Sequence, residues 1–192
     1  VLVSAGPADT QRIRDLVEQL DREQVTSVTE IRVFPLELLE YPKPVIAAIH
    51  GAAIGVGVTM VLPCDLRVAA EGAKLGLTFT KLGILPGLGS THLLPRLVGM
   101  GNAQELVLTA RVVRAEEARE MGLVNRVVPA DALLDTAREL AAASLECDPD
   151  ALALAKRALH AGALTDLAGA MANERAASEE LRRRKAERGG RS

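Results

Sequence analysis

The sequence predicts a mixed α/β protein, with strands concentrated in its first half and helices in its second. Three observations carry this. Val45-Ile46-Ala47-Ala48-Ile49 is a continuous apolar run of strand length, the pattern of a strand covered on both faces. It leads into a glycine-dense turn, Gly51-Ala52-Ala53-Ile54-Gly55-Val56-Gly57, that opens a short apolar helix. From Asn102 onward apolar residues recur at helical spacing, with one brief interruption.

Taken in order, Asp9 is placed to cap a helix through Ile13, Leu16, Val17 and Leu20, whose spacing puts them on one face opposite a charged one. After a polar stretch from Thr26 to Glu30, the run Phe34 to Leu39 is apolar at helical spacing, and Tyr41-Pro42-Lys43-Pro44 stops it. The strand Val45 to Ile49 follows, then the glycine turn and a helix ending near Pro63. Asp65 to Ala70 and Lys74 to Thr78 read as further short strands. Leu82 to Thr91 reads as a loop into another helix, with Ser90 or Thr91 suited to cap it. Val124 to Val128, between Gly122 and Pro129, is the brief strand that interrupts the helical second half. Helices are expected over Ala130 to Leu145 and Asp150 to Ala161, both rich in Ala and Leu. The stretch from Asn173 to Ser192 is dominated by Arg, Lys and Glu and is expected to be an exposed helix that frays at its Gly-Gly-Arg-Ser end. No repeat or low-complexity linker divides the chain. The expected organisation is a core over residues 1–128 and a helical segment over 129–192 that packs on that core or on a neighbouring subunit.

Composition narrows the function. The 192 residues are 48% hydrophobic and 25% charged, enough for one well-filled domain, yet the only aromatics are Phe34, Tyr41 and Phe79. A core packed from Ala, Val, Leu and Ile is implied, with no stacking platform for bases. Twenty-three basic against 25 acidic residues leave no surplus charge to hold a phosphate backbone, so nucleic acid is a poor partner. Cys64 and Cys147 are far apart and lack metal-ligand spacing. Both are expected to be inert buried thiols, with no metal and a cytoplasmic location. The apolar stretch Val45 to Leu62 contains His50 and three glycines, which reads as core and not as a membrane span.

The chemistry is expected at the glycine turn. A strand that turns through glycines into a helix presents free backbone N–H groups at a positive helix end, which suits an anion or oxyanion. Here the Val56 N–H is the candidate donor. Such turns also hold dinucleotides or simply allow close packing, and by itself the turn favours packing. A dinucleotide-binding oxidoreductase is disfavoured because no acidic ribose-binding residue stands about 20 positions further on.

The run Pro44-Val-Ile-Ala-Ala-Ile-His-Gly-Ala-Ala-Ile-Gly-Val-Gly57, followed by Cys64-Asp-Leu-Arg-Val-Ala-Ala70, resembles the enoyl-CoA hydratase/isomerase (crotonase) superfamily. The resemblance continues through Leu75-Gly-Leu-Thr-Phe-Thr-Lys-Leu-Gly-Ile-Leu-Pro-Gly-Leu-Gly-Ser-Thr91, Leu106-Val-Leu-Thr109, Ala115-Glu-Glu-Ala118, Gly122-Leu-Val-Asn-Arg-Val-Val-Pro129 and Ala155-Lys-Arg157. It implies a spiral ββα core with a helical trimerisation segment, assembled as a trimer or hexamer. It also implies an acyl-CoA thioester as partner, with no cofactor beyond the coenzyme A that the substrate carries. Two backbone N–H groups then hold the thioester oxygen and stabilise an enolate beside it. Val56 matches one donor position. The other belongs to a Ser-Ala-Gly-x-Asp loop, but here Ser4-Ala5-Gly6 is followed by Pro7, which has no N–H, then Ala8 and Asp9. Ala8 takes the donor role in a shifted loop, or the segment is not that loop, or Val1 to Pro7 is the preceding strand and turn with residues missing after it. Family members begin with further strands, so part of a longer protein is expected to lie outside this numbering. The resemblance also places Asp9, Gly55, Gly57, Leu82, Pro86 and Gly87 along the substrate.

The hydratases of this superfamily use two glutamates, and the matched segments put Thr59 and Phe79 at those positions. Neither exchanges a proton near neutral pH. General acid–base catalysis contributes roughly 10²–10⁴ per group, so ordinary enoyl hydration is expected to be very slow. Two readings remain: an enzyme whose chemistry rests on enolate stabilisation alone, or a non-catalytic acyl-CoA-binding or assembly subunit. Other polar groups have plainer expectations. His50 is read as a structural, hydrogen-bonded residue, His92 as a helix-surface or pocket-lining residue, Lys81 as solvent-facing with the phosphates of coenzyme A as its alternative, and Asp65 as a structural cap or ion-pair partner in preference to a base. Arg182-Arg183-Arg184-Lys185 is read as a solvated face, with the phosphates of coenzyme A on a neighbouring subunit as its functional alternative.

Overall fold

In the computed structural model, residues 2–4 and 35–189 are described. The strand β1 (Leu2–Ser4) precedes helical residues 35–40, which form α1. Then come β2 (Val45–Ile49), β3 (Ala52–Ile54), α2 (Val56–Val61), β4 (Leu66–Ala70), β5 (Lys74–Gly76) and a 3₁₀ turn (Thr78–Leu82). The second half holds α3 (Ser90–Leu108), β6 (Val112–Arg114), α4 (Ala115–Glu120), β7 (Arg126–Val128), α5 (Leu133–Leu145), α6 (Pro149–Gly162) and α7 (Leu167–Gly189).

The strands form two sheets, in the orders β1-β2-β4-β7 and β3-β5-β6. In the first, β2, β4 and β7 run parallel and β1 is antiparallel to β2. In the second, β3 and β5 are parallel and β6 returns antiparallel. Two units each place one strand in either sheet and then give way to a helix, β2, β3, α2 and β4, β5, α3; the third, β6, α4, β7, also spans both sheets but with its helix between its strands. This is the spiral ββα arrangement that the resemblance implies.

Burial explains why β2 reads as an unbroken apolar run. Ile46 and Ala48 pack with Val68 and Ala70 of β4 against Leu133, Ala137 and Ala141 of α5. Val45 and Ala47 face the other way, towards Leu38 and Cys64. With both faces covered, no polar residue alternates. The largest apolar cluster lies among β3, β5, α2, α3 and α4 and contains Val58, Leu75, Phe79, Leu94, Leu106 and Leu123. Small side chains let the layers approach closely. At Gly76 an added Cβ would stand 2.8 Å from a Val112 methyl, so the β5–β6 pairing needs glycine there.

Several boundaries differ from expectation. β6 falls inside a stretch read as helical; Ala110, at φ +50°, reverses the chain after α3 and feeds three residues into the sheet. Helix α3 is broken at Gly99, whose φ of +76° and ψ of +159° are not helical. It is capped by neither Ser90 nor Thr91: left-handed Gly89 occupies the cap position, and Ser90 is already the first helical residue. α5 begins three residues late because the Ala132 N–H closes a turn on the Pro129 carbonyl at 3.0 Å. α6 starts at Pro149 behind Asp148, whose Oδ1 accepts the Ala151 N–H at 2.9 Å. α7 begins six residues earlier than expected, at Leu167, and buries no residue. The two cysteines also separate: Cys64 is buried, but Cys147 is exposed. The expected helix behind Asp9 lies outside the described residues.

Candidate functional site

Backbone geometry builds the turn between β3 and α2. Gly55 adopts φ +58° and ψ −116°, a conformation that side-chain-bearing residues avoid. Its N–H donates to the Gly76 carbonyl at 2.8 Å, which extends the β3–β5 pairing by one hydrogen bond. Its carbonyl accepts from the N–H groups of Val58 at 3.1 Å and Thr59 at 3.2 Å, so the helix starts at once. The N–H groups of Val56 and Gly57 have no hydrogen-bond partner among the described residues, as befits the first donors of a helix. Val56 is 53% exposed, so these donors lie at an accessible end.

Thr59 and Phe79 lie beneath this turn. Thr59 is fully buried, and its Oγ1 donates to the Val56 carbonyl at 3.1 Å, one turn back along α2. Phe79 sits in the 3₁₀ turn, 7% exposed, with its ring Cζ 3.8 Å from where a Cβ on Gly55 would stand. The fold therefore brings Phe79 directly against the glycine turn, although 24 positions separate it from Gly55 in the numbering. An alcohol turned onto a carbonyl and a hydrocarbon ring supply no proton-transfer group.

Leu82, Pro86 and Gly87 lie at or beyond the end of the 3₁₀ turn, on the way to α3. Leu82 and Gly87 are exposed and Pro86 is half-buried, while Leu85 between them is 85% exposed. This loop presents apolar side chains outward. Beyond it, the buried Ser90 hydroxyl finds no hydrogen-bond partner among the described residues. Ala8 and Asp9 fall outside the described residues.

The remaining polar groups sort as follows. His50 is exposed and makes no hydrogen bond among the described residues, so the structural role expected for it is not present there. Lys81 is exposed, and exposed His92 lies with its Nδ1 3.0 Å from Arg96 Nη1 on the surface of α3. Asp65 is a structural partner: its Oδ2 accepts the Val45 N–H at 2.7 Å and pairs with Lys156 Nζ at 2.7 Å. Lys156 also donates to the carbonyls of Leu38 at 3.0 Å and Lys43 at 3.2 Å, which ties α6 to the core. Burial pushes the Cys64 thiol up to about 12, so it stays protonated and unreactive at neutral pH.

The sequence reading assigned no role to Arg67. It is 3% exposed; its Nε donates to the Leu123 carbonyl at 2.9 Å, and its Nη1 reaches the carbonyls of Val61 at 3.4 Å, Leu62 at 3.2 Å and Cys64 at 2.5 Å. The only sequence signal was its place in the Cys64 to Ala70 motif. Among the described residues no group of His, Cys, Asp and Glu is arranged to hold a metal ion. No described helix is long and apolar enough to cross a membrane.

A family model described as enoyl-CoA hydratase/isomerase matches residues 10–191. The chain belongs to the enoyl-CoA hydratase/isomerase family. Among its relatives, the short-chain-enoyl-CoA hydratase of Clostridium acetobutylicum is 45% identical over 139 residues, covering 72% of this chain and 52% of that protein. YngF of Bacillus subtilis, whose name places it with the enoyl-CoA hydratases/isomerases, is 44% identical over 168 residues, covering 88% of this chain and 65% of its own length. The crystal structure of an enoyl-CoA hydratase from Bacillus anthracis superposes with a TM-score of 0.78 at 44% identity, covering 84% of this chain and 61% of that one. The fold is thus the crotonase fold of this family. The chain spans between about half and two thirds of the length of these relatives.

Proposed function

We propose that the chain binds acyl-CoA thioesters at the β3–α2 turn, with the Val56 N–H donating to the thioester oxygen, and that it does not catalyse ordinary enoyl hydration. One observation carries the second half: the buried Phe79 ring lies against Gly55 where the resemblance places a carboxylate, and the Thr59 hydroxyl is engaged by the Val56 carbonyl. The unpartnered N–H groups of Val56 and Gly57 support the first half. Backbone donors of this kind stabilise a developing oxyanion without any side-chain chemistry, and loss of one costs ~10²–10³ in rate. Isomerisation or decarboxylation through an enolate, and thioester cleavage through a tetrahedral oxyanion that expels the coenzyme A thiolate, all draw on that stabilisation. In this reading Ala8 supplies the second donor, and Asp9, Gly55, Gly57, Leu82, Pro86 and Gly87 line the bound thioester.

A second reading, an acyl-CoA-binding subunit of an assembly without chemistry of its own, is favoured by the apolar side chains that the C-terminal helices leave exposed, Leu145, Leu159, Leu167 and Met171 among them. Assembly as a trimer or hexamer would cover such surfaces, and light scattering of the chain reads it directly. Calorimetric titration with crotonyl-CoA and with free CoA, beside a hydration assay on wild type and on Thr59→Glu/Phe79→Glu, tests the proposal. Binding of crotonyl-CoA with negligible wild-type hydration is expected. Robust wild-type hydration would overturn the roles given to Thr59 and Phe79, and failure to bind any acyl-CoA would overturn the ligand.

A further inference from the structure

We infer that Arg67 is a positioning residue for the thioester carbonyl: it fixes the far end of α2 and thereby aims the Val56 N–H at the near end. The inference rests on the assignment of Val56 above. α2 has six residues, too few for its own hydrogen bonds to hold it as a rigid rod. Its direction is set by the buried face that carries Val58 in the main apolar cluster and, beyond that face, by what grips its two ends. At the near end the grip is the hydrogen bond from the Gly55 N–H to the Gly76 carbonyl. At the far end it is the Arg67 guanidinium, which takes the carbonyls of Val61 and Leu62 on one nitrogen and that of Leu123 on another. A single planar group thus joins the last turn of α2 to the segment between α4 and β7.

Arg67 is itself held in place. Its backbone N–H donates to Asn125 Oδ1 at 2.8 Å, and its carbonyl accepts the Asn125 N–H at 2.8 Å. The anchor is therefore the paired β4–β7 region, not a mobile side chain on the surface.

The chemistry of the site argues against simple packing. The guanidinium forms no ion pair with a carboxylate among the described residues, and burial pushes its pKa down. A buried charge held by carbonyls, on which Asp65 acts only without an ion-pair contact, is an expensive way to fill a core position, and an apolar side chain of similar volume serves packing at least as well. What an apolar residue cannot supply is the simultaneous grip on a helix end and a neighbouring segment. An N–H donor must come within 2.7–3.1 Å of the oxyanion to act on it, so a small swing of a short helix about its glycine end removes much of its effect.

The test reads carbonyl polarisation separately from affinity. Infrared difference spectra of the full chain with crotonyl-CoA, carrying ¹³C at the thioester carbonyl, report the stretch of the bound group, and calorimetry reports affinity. Wild type should lower the stretch relative to free crotonyl-CoA. Arg67→Met should bind within about threefold of wild type yet lose about half or more of that lowering, and Arg67→Lys, which keeps the charge without the fork, should fall between the two. Leu133→Ala, destabilised in the cluster under α5 that contains no residue of α2, should keep the full lowering. A folded Arg67→Met with the wild-type stretch overturns the inference, as does an equal loss in Leu133→Ala. Should Arg67→Met fail to fold, an undiminished lowering in Arg67→Lys overturns it and a reduced one supports it. No lowering in wild type overturns the Val56 assignment itself, a failure visible before any Arg67 variant is compared.

Discussion

Strand β2 and helix α7 stand at opposite extremes of the molecule. All five residues of Val45–Ile49 are buried, whereas no residue of Leu167–Gly189 is. β2 is held by apolar contact on both faces, with α5 on one side and Leu38 and Cys64 on the other. α7 is held against α6 by charge: Glu180 pairs with Arg157 and Arg184, Asp150 lies 3.2 Å from Arg184 and 2.8 Å from Arg188, and Lys185 lies 3.6 Å from Asp148. The arginine-rich stretch is thus partly absorbed by an interhelical lattice instead of being a freely solvated face. The core should respond to lost volume and α7 to lost charge. α6 belongs to both, since Lys156 is buried in the core while Arg157 reaches Glu180.

The sharpest break in this division is expected at Lys156. Among the described residues, Lys156→Met leaves Asp65 only the Val45 N–H and His160 Nε2, 3.5 Å away, and takes the Nζ donor from the carbonyls of Leu38 and Lys43; removal of one partner of a buried pair costs about 3–5 kcal/mol, which urea denaturation of the full chain checks. An unchanged midpoint would mean that charge contributes nothing inside the core. Leu106→Ala comes next: the side chain is fully buried in the main cluster, so a loss of about 3 kcal/mol is expected, insensitive to salt.

Acid should act on the other region. The guanidinium of Arg157, and then that of Arg184, hold the Glu180 carboxyl below its ordinary range, and the Ala151 N–H does the same for Asp148. Depressed pKa values stabilise the fold above the ordinary carboxylate range, and that contribution fades as pH falls through it, below about 4. The α6–α7 helical signal should therefore weaken with acid or with molar salt before the core melts, in circular dichroism followed against pH. Simultaneous loss of both would join the two regions into one cooperative unit. The smallest effect concerns the thiols. At neutral pH, iodoacetamide should modify exposed Cys147 without shifting the melting temperature and leave Cys64 untouched until the core unfolds, as mass spectrometry of the peptides would record.

Legibility in the sequence follows the same physical division. β2, the glycine turn and α2 were readable because a doubly covered strand and a glycine-led helix leave patterns longer than a single contact. β6 was not: three residues give no period, and its partner in β5 lies nearly 40 positions earlier in the chain. At α3 the sequence favours Ser90 or Thr91 because serine and threonine are the usual caps, while left-handed Gly89 reverses the chain one residue sooner. At α6 the helix start is marked by Asp148 as the cap with Pro149 as the first helical residue, just before the Asp150 that helical spacing suggests. At the candidate site, resemblance alone points to Thr59 and Phe79; their burial and the approach of the Phe79 ring edge to Gly55 follow only from the fold. Arg67 and Lys156 were opaque for a different reason. Most of their partners are backbone carbonyls, one of them 118 residues away, and a carbonyl leaves no mark on a residue's identity.

The alternation of strands between the two sheets has a consequence for how the chain folds. Each early ββα unit contributes one strand to each sheet, so among the described strands neither sheet has its last member until β6 and β7 have arrived. β4 meets β7 through residues such as Arg67 and Asn125, 58 positions apart, and that loop must close before its pairing returns any stabilisation. β2 and β4, by contrast, are separated only by β3 and α2 with their short connections. Folding should therefore nucleate around β2, α2 and β4 and finish with the docking of β7, at the slower end of the range for mixed α/β chains. In pulse-labelling hydrogen exchange, amides of β2 and β4 would acquire protection before the Asn125 amide, whose late closure also completes the anchor of Arg67.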